Sequence, residues 1–183
     1  MHDNIRTLRG PIMVVLLAVV GLALVAGLWA FQPWKLFTSS RLDEGLPAGS
    51  QPTVSAPAVP GVGPTGSAGP AVLAEGSFVS QEHDTSGVVK VLALADGSRV
   101  LRIEGLASSD GPDLHVWLTD QDAGGSYGKY DDGRYVALGK LKATHGNQNY
   151  VIPAGTDLAG LRSAVIWCDR FNVAFGSAAL SLG

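Results

Sequence analysis

Hydrophobic and polar positions follow three successive regimes along the chain. The first is unbroken: no charged residue occurs from Gly10 to Trp34, and residues 11–31 are almost wholly aliphatic. At ~1.5 Å rise per residue, a helix over that run spans ~30 Å, the thickness of a bilayer's hydrocarbon core. Trp29, Phe31 and Trp34 stand at its far end, where amphipathic rings favour the membrane interface. Arg6 and Arg9 precede it and favour a cytoplasmic N-terminus. The pattern predicts a cytoplasmic tail over 1–10 and an uncleaved transmembrane helix over 11–34. A cleaved signal peptide has an apolar region of ~7–15 residues ending in a small-x-small site. Here the best such site, Val25-Ala26-Gly27, lies inside the apolar run. No cysteine follows it closely, which excludes a lipoprotein anchor.

The second regime has no periodicity. Residues 46–74 carry no charge and no aromatic ring but hold six prolines, five glycines and three serines. Such a stretch buries too little apolar surface to offset its ordering entropy. It predicts a disordered linker over 35–74. Gly61-Val62-Gly63-Pro64-Thr65-Gly66 fits the spacing G-x-G-x-x-G, but no strand precedes it and a proline interrupts it, so it is not a nucleotide loop.

In the third regime, short β-branched or alternating runs recur between turn signals. They lie at 87–94, 99–104, 114–119, 135–138, 149–152, 164–168, 172–175 and 178–182. Asp96-Gly97 separates the first two and predicts a hairpin. Gly111-Pro112 predicts a bend with the glycine at positive φ. Only 157–162 could form a turn of helix. Short strands at this spacing predict an all-β domain over 75–183, an antiparallel β-sandwich.

Composition narrows the chemistry. The formal net charge is -3. A pI near 5.7 without a basic cluster excludes nucleic acid as the main partner. A single cysteine excludes an intramolecular disulfide, a dithiol oxidoreductase and a multi-cysteine zinc site. Gly124-Gly125-Ser126-Tyr127-Gly128 mimics a nucleophile elbow but lies in a Gly/Asp-rich loop with no helix after it. Asp120, Asp122, Asp131 and Asp132 crowd the same loop without the spacing of a calcium site. His115 shares a strand face with Trp117, and His145 falls in a turn. His83 lies between acidic neighbours ahead of a tight turn. Cys168 ends the run Ala164-Val165-Ile166-Trp167-Cys168. An unpaired thiol is usually a small core residue, yet outside the membrane oxidising conditions select against idle ones.

Four blocks of residues carry a resemblance. They are Gly76-Ser77-Phe78 with His83-Asp84-Thr85-Ser86-Gly87, and Gly111-Pro112-Asp113-Leu114-His115-Val116-Trp117-Leu118. Next come Leu138-Gly139-Lys140-Leu141 with Gly146-Asn147-Gln148-Asn149-Tyr150-Val151-Ile152-Pro153, and last Val165-Ile166-Trp167-Cys168-Asp169-Arg170-Phe171-Asn172 running on to Ala178. In this order they resemble the DM-thirteen family, an electron-transfer domain found beside DOMON domains in animal cell-surface proteins and alone in bacterial ones.

The resemblance implies a β-sandwich and singles out Cys168 for redox work, as a naked thiol or by holding a group such as haem. It makes His83 the second candidate and places Trp167 beside the cysteine as a cofactor contact. It also implies a separate redox protein as electron partner, because this chain carries no DOMON or cytochrome module. The alternative is a non-catalytic module at the cell surface that binds a polymer or protein. Cys168 would then be core filler, and Trp117, Tyr127, Tyr130 and Tyr135 a stacking surface.

Overall fold

The computed structural model describes residues 4–47 and 69–182. Helix α1 spans Asn4–Phe31. The stretch Ile12–Lys35 is long and apolar enough to cross a membrane, with mean hydropathy 2.8 and none of it buried against the rest of the chain. The helix starts inside the expected polar tail, since residues 4–10 continue it. Gln32, in the left-handed conformation (φ 43°), ends it, and Pro33 opens a short 3-10 helix over Pro33–Phe37. Proline suits a first helical position because its missing N–H has no partner to lose there.

Nine strands follow among the described residues. They are β1 (Arg41–Asp43), β2 (Ala71–Ser80), β3 (Ser86–Ala93), β4 (Arg99–Ala107), β5 (Leu114–Thr119), β6 (Tyr135–Lys140), β7 (His145–Ile152), β8 (Ser163–Cys168) and β9 (Val173–Ala179). All join one sheet in the order β1-β7-β4-β3-β2-β9-β8-β5-β6. Every pairing is antiparallel except β1 with β7. The sheet curls into a half-barrel around one core. Val89, Val91, Leu101 and Ile103 face Val116, Leu118, Ile166 and Phe175 within it.

The mostly β architecture follows the alternation of the sequence. The expected sandwich of two sheets is replaced by one curled sheet. The reason is β2, whose first part pairs with β3 and whose last three residues, Phe78–Ser80, pair with β9. One strand thus serves both halves. Side-chain periodicity reports which residues face inward, not whether two halves share a strand.

The predicted hairpin forms: β3 and β4 pair, Gly97 takes φ 81°, and the Asp96 carboxylate accepts from the Ser98 amide at 2.9 Å. The runs expected at 172–175 and 178–182 merge into β9. Gly176 lets them run on, since a Cβ there would lie 2.5 Å from Thr85 Cγ2. Residues 157–162 form a turn rather than helix, with Gly160 at φ 76°.

Of the linker expected over 35–74, residues 48–68 lie outside the described residues; within the rest, Arg41–Asp43 form β1 and residues 71–74 belong to β2. The N-terminal flank is docked by charge. The Glu44 carboxylate accepts from Lys142 Nζ at 2.9 Å and from the Asn149 amide at 2.6 Å. The buried Arg102 guanidinium donates to the carbonyls of Glu44 and Gly45 and to Glu104 Oε1.

Candidate functional site

Strand β8 is buried along its whole length, so alternation sorts its residues between two packed faces. Ala164, Ile166 and Cys168 point into the main core, while Val165 and Trp167 join a second cluster on the outer face with Trp117, Tyr130 and Ala174. Cys168 and Trp167 are therefore neighbours in sequence but back to back in space. Trp167 is not a wall of any cysteine site.

Cys168 is 0% exposed and unpaired. It sits opposite Leu114 on β5, where the bend at Asp113 meets the turn after β8. That turn closes through the Asn172 amide on the Cys168 carbonyl (2.9 Å) and the Asp169 amide on the Asp113 carbonyl (3.0 Å). Asn172 adopts φ 55°, a conformation that asparagine tolerates better than most residues. Burial pushes the Cys168 thiol up, and the backbone N–H groups of Phe171, Arg170 and Asp113 oppose this without winning. The sulfur is a protonated thiol at neutral pH, with three amides around it. Arg170 acts on it through its backbone only, since its guanidinium donates to the Ala30 carbonyl at the end of α1 (2.9 Å).

His83 lies in the turn between β2 and β3, half-buried, its ring 4.0 Å from that of Phe175. Thr85 fixes this turn. Its hydroxyl donates to the Phe175 carbonyl at 3.1 Å and lies 2.9 Å from Ser108 Oγ, and its amide donates to Ser80 Oγ at 3.0 Å. The imidazole itself has no hydrogen-bond partner among the described residues.

His83 and Cys168 meet at the same end of the half-barrel, on opposite sides of a wall. A cavity of about 250 Å³ lies between α1 and the sheet, lined by Phe31, His83, Pro112, Phe171 and Phe175 and by the polar side chains of Gln32, Lys35 and Asp110. Phe171 and the 111–113 bend thus face the cavity on one side and supply amides to the Cys168 sulfur on the other. Phe31 stacks on Phe171 with centroids 6.1 Å apart. The Thr38 hydroxyl donates to Asp110 Oδ2 at 2.6 Å, and Lys35 lies 3.6 Å from the same carboxylate. Gly111 shapes the wall by its size. It is not at positive φ, contrary to expectation, but a Cβ there would stand 3.0 Å from both Phe175 Cζ and Leu114 Cδ2.

The remaining candidates lie away from this cavity. Trp117 stacks on Tyr135 at 4.2 Å and on Trp167 at 5.0 Å, and Tyr130 meets Trp167 edge-on at 6.3 Å. Trp117 and Tyr130 are buried, so two of the four rings expected as a stacking surface are not presented to solvent. The Tyr130 hydroxyl donates to Ser177 Oγ (2.9 Å), which also accepts from the Gly124 amide. The Gly-rich loop is thereby tied over the outer face. Its carboxylates diverge, Asp120 taking the Arg134 amide and Asp122 the Arg162 guanidinium.

Sequence reasoning missed one cluster. His115 Nε2 lies 3.0 Å from Asp113 Oδ1 and 3.4 Å from Asp169 Oδ2, the one group among the described residues with metal-ligand spacing. Lys140 Nζ already sits 3.0 Å from Asp113. It holds that carboxyl below its usual range, with His115 adding to the effect. The cluster is a charge-compensated network.

A haem does not fit the two expected ligands. Axial ligation needs open space in front of the sulfur. Cys168 has no exposed surface and lines none of the three cavities described. The His83 ring packs on Phe175, itself part of the core that holds Cys168.

Fold and site together define a class: a curled β domain with one closed thiol, behind an aromatic-walled cavity at the end of an apolar helix. Residues 77–180 match the model of the electron-transfer family DM13. The chain belongs to that family, as the four sequence blocks implied. No curated protein and no solved structure matches it.

Proposed function

We propose that the chain is a membrane-anchored electron-transfer domain held outside the cytoplasmic membrane by α1, with Cys168 as its one-electron group. The observation that carries this reading is the position of the sulfur: closed to solvent, yet one wall from a cavity that includes His83. A sulfur with no exposed surface is out of reach of a second thiol or of a partner's metal, which leaves outer-sphere transfer through its walls. The thiol gives up one electron to a separate protein acceptor and one proton to solvent, and becomes a thiyl radical. Retention of the helix is supported by its ties to the domain, the Arg170 bond to Ala30, the Phe31–Phe171 stack and the pairing of β1 with β7.

One observation favours the alternative of a surface binding module, namely that complete burial is also what a small core residue displays. The test separates the two. The reduced full chain in lipid nanodiscs is mixed anaerobically with a one-electron haem-protein acceptor. Reduction by wild type and none by Cys168→Ser, both folded, supports electron transfer from the thiol. Equal rates, or no reduction by either, leaves Cys168 as core filler.

A further inference from the structure

The cavity beside His83 has features that the thiol does not explain. Its walls are aromatic on three sides, Phe31, Phe171 and Phe175, contributed by the end of α1, the turn after β8 and β9. Its volume of about 250 Å³ is just below the ~300–1,000 Å³ usual for small-molecule sites, which suits a flat head group of one or two rings. The polar groups are few and particular. Asp110 is already engaged by Thr38, Lys35 and the Gly111 amide. The side chains of His83 and Gln32 are left with unmet hydrogen bonds, and a half-buried imidazole facing apolar walls gains by finding a partner.

Position adds a second constraint. The cavity opens where the apolar stretch Ile12–Lys35 ends, beside the exposed rings of Trp29 and Trp34. In a spanning helix that is the head-group level. A ligand entering there arrives from the lipid phase, and an aliphatic tail can lie along the exposed Leu24 and Leu28 side chains. A flat ring with carbonyl oxygens at its edge satisfies every feature: faces for the phenylalanines, an acceptor for His83 or Lys35, and a tail for the bilayer.

We infer that this cavity binds the ring of a lipid-soluble quinone, packed against the stacked Phe31–Phe171 pair and Phe175 that line it, with His83 donating to a carbonyl oxygen. The inference rests on the reading of the chain as a membrane-anchored electron-transfer domain, to which it adds a membrane-soluble redox ligand. A phospholipid chain would use the apolar walls but not His83.

The test is photoaffinity labelling of the full chain in nanodiscs with a short-chain azido-benzoquinone, competed by decylubiquinone. Saturable labelling confined to the peptides around His83, Pro112 and Phe171 is expected. Phe171→Ala and His83→Leu should each weaken it by about tenfold, the worth of one stacking or hydrogen-bonding contact, with unchanged melting temperature. Cys168→Ser should label as wild type does. Wild type that labels but transfers no electron, or transfers it no faster than Cys168→Ser, would sink the thiol alone, and wild type that transfers electrons but is not labelled would sink the quinone site alone. Labelling spread along α1, or competed equally by an alkyl probe without a ring, would overturn the inference.

Discussion

The two faces of β8 are both rich in aromatic rings, yet they are built for opposite ends. On the outer face, Trp167, Trp117, Tyr135 and Tyr130 fill one another's surroundings, and the Tyr130 hydroxyl is satisfied by Ser177. Beyond the inner face, Phe175 and the stacked pair Phe31–Phe171 border a cavity that they leave unfilled, with an unpartnered imidazole beside it. Aromatic content therefore does not mark the site. Unfilled volume next to an unsatisfied polar group does, and only the inner face has both.

The sharpest way to break this comparison is to remove the outer stack. Trp167 is 1% exposed, and Trp167→Ala should cost about 3–5 kcal/mol, read as a fall in the urea midpoint, because the neighbouring rings cannot collapse into its space. A loss below about 1 kcal/mol would mean that the outer face is loose enough to be a binding surface.

Changes at the wall should cost less. Cys168→Ser should destabilise by about 1–2 kcal/mol, since a buried hydroxyl needs partners and the three nearby amides supply part of them. A cost near 4 kcal/mol would place the cysteine's value in packing alone. Gly111→Val should cost about 1–3 kcal/mol by overpacking Leu114 and Phe175, with Gly111→Ala milder. Because Phe175 underlies His83, the His83 ring proton shifts should move in both variants. Unmoved shifts would disconnect the bend from the cavity.

The smallest effect is electrostatic. The hydrogen bond from Lys142 leads in holding the Glu44 carboxyl below its ordinary value of 4.5. A lowered folded-state pKa gives stability that is present above the ordinary value and lost as pH falls through the lowered one. Acidification below about pH 4.5 should thus release residues 38–45 from β7 while the core persists. Hydrogen exchange at the Asn149 amide reports it, and Glu44→Gln should remove that pH dependence. Cooperative loss of the whole domain in the same window would show that this flank is not a separable unit.

How much of this was legible in the chain depends on distance along it. The hairpin at Asp96-Gly97 and the span of β5 are local patterns, and they were read directly. The four family blocks identified the domain and its cysteine. The docked β1 was hidden, because Arg-Leu-Asp has no strand signal and pairs only through a parallel register with β7. The single curled sheet was hidden for a similar reason, since β2 changes partner midway along its length. The cavity could not be read at all. It assembles Phe31, His83, Pro112 and Phe171 from four separate segments, and its wall depends on Gly111 having no side chain. Trp167 misled by adjacency: next to Cys168 in sequence, it faces the other way.

The most direct test of the central claim compares access with electron transfer at the same sulfur. The native full chain in nanodiscs is treated in parallel with iodoacetamide and with hexachloroiridate, an outer-sphere one-electron oxidant. A closed redox thiol should resist alkylation yet consume one oxidant equivalent per chain beyond Cys168→Ser. Oxidant consumption equal in wild type and variant, or a difference that emerges only on unfolding together with alkylation, would contradict electron transfer from Cys168 in the folded domain.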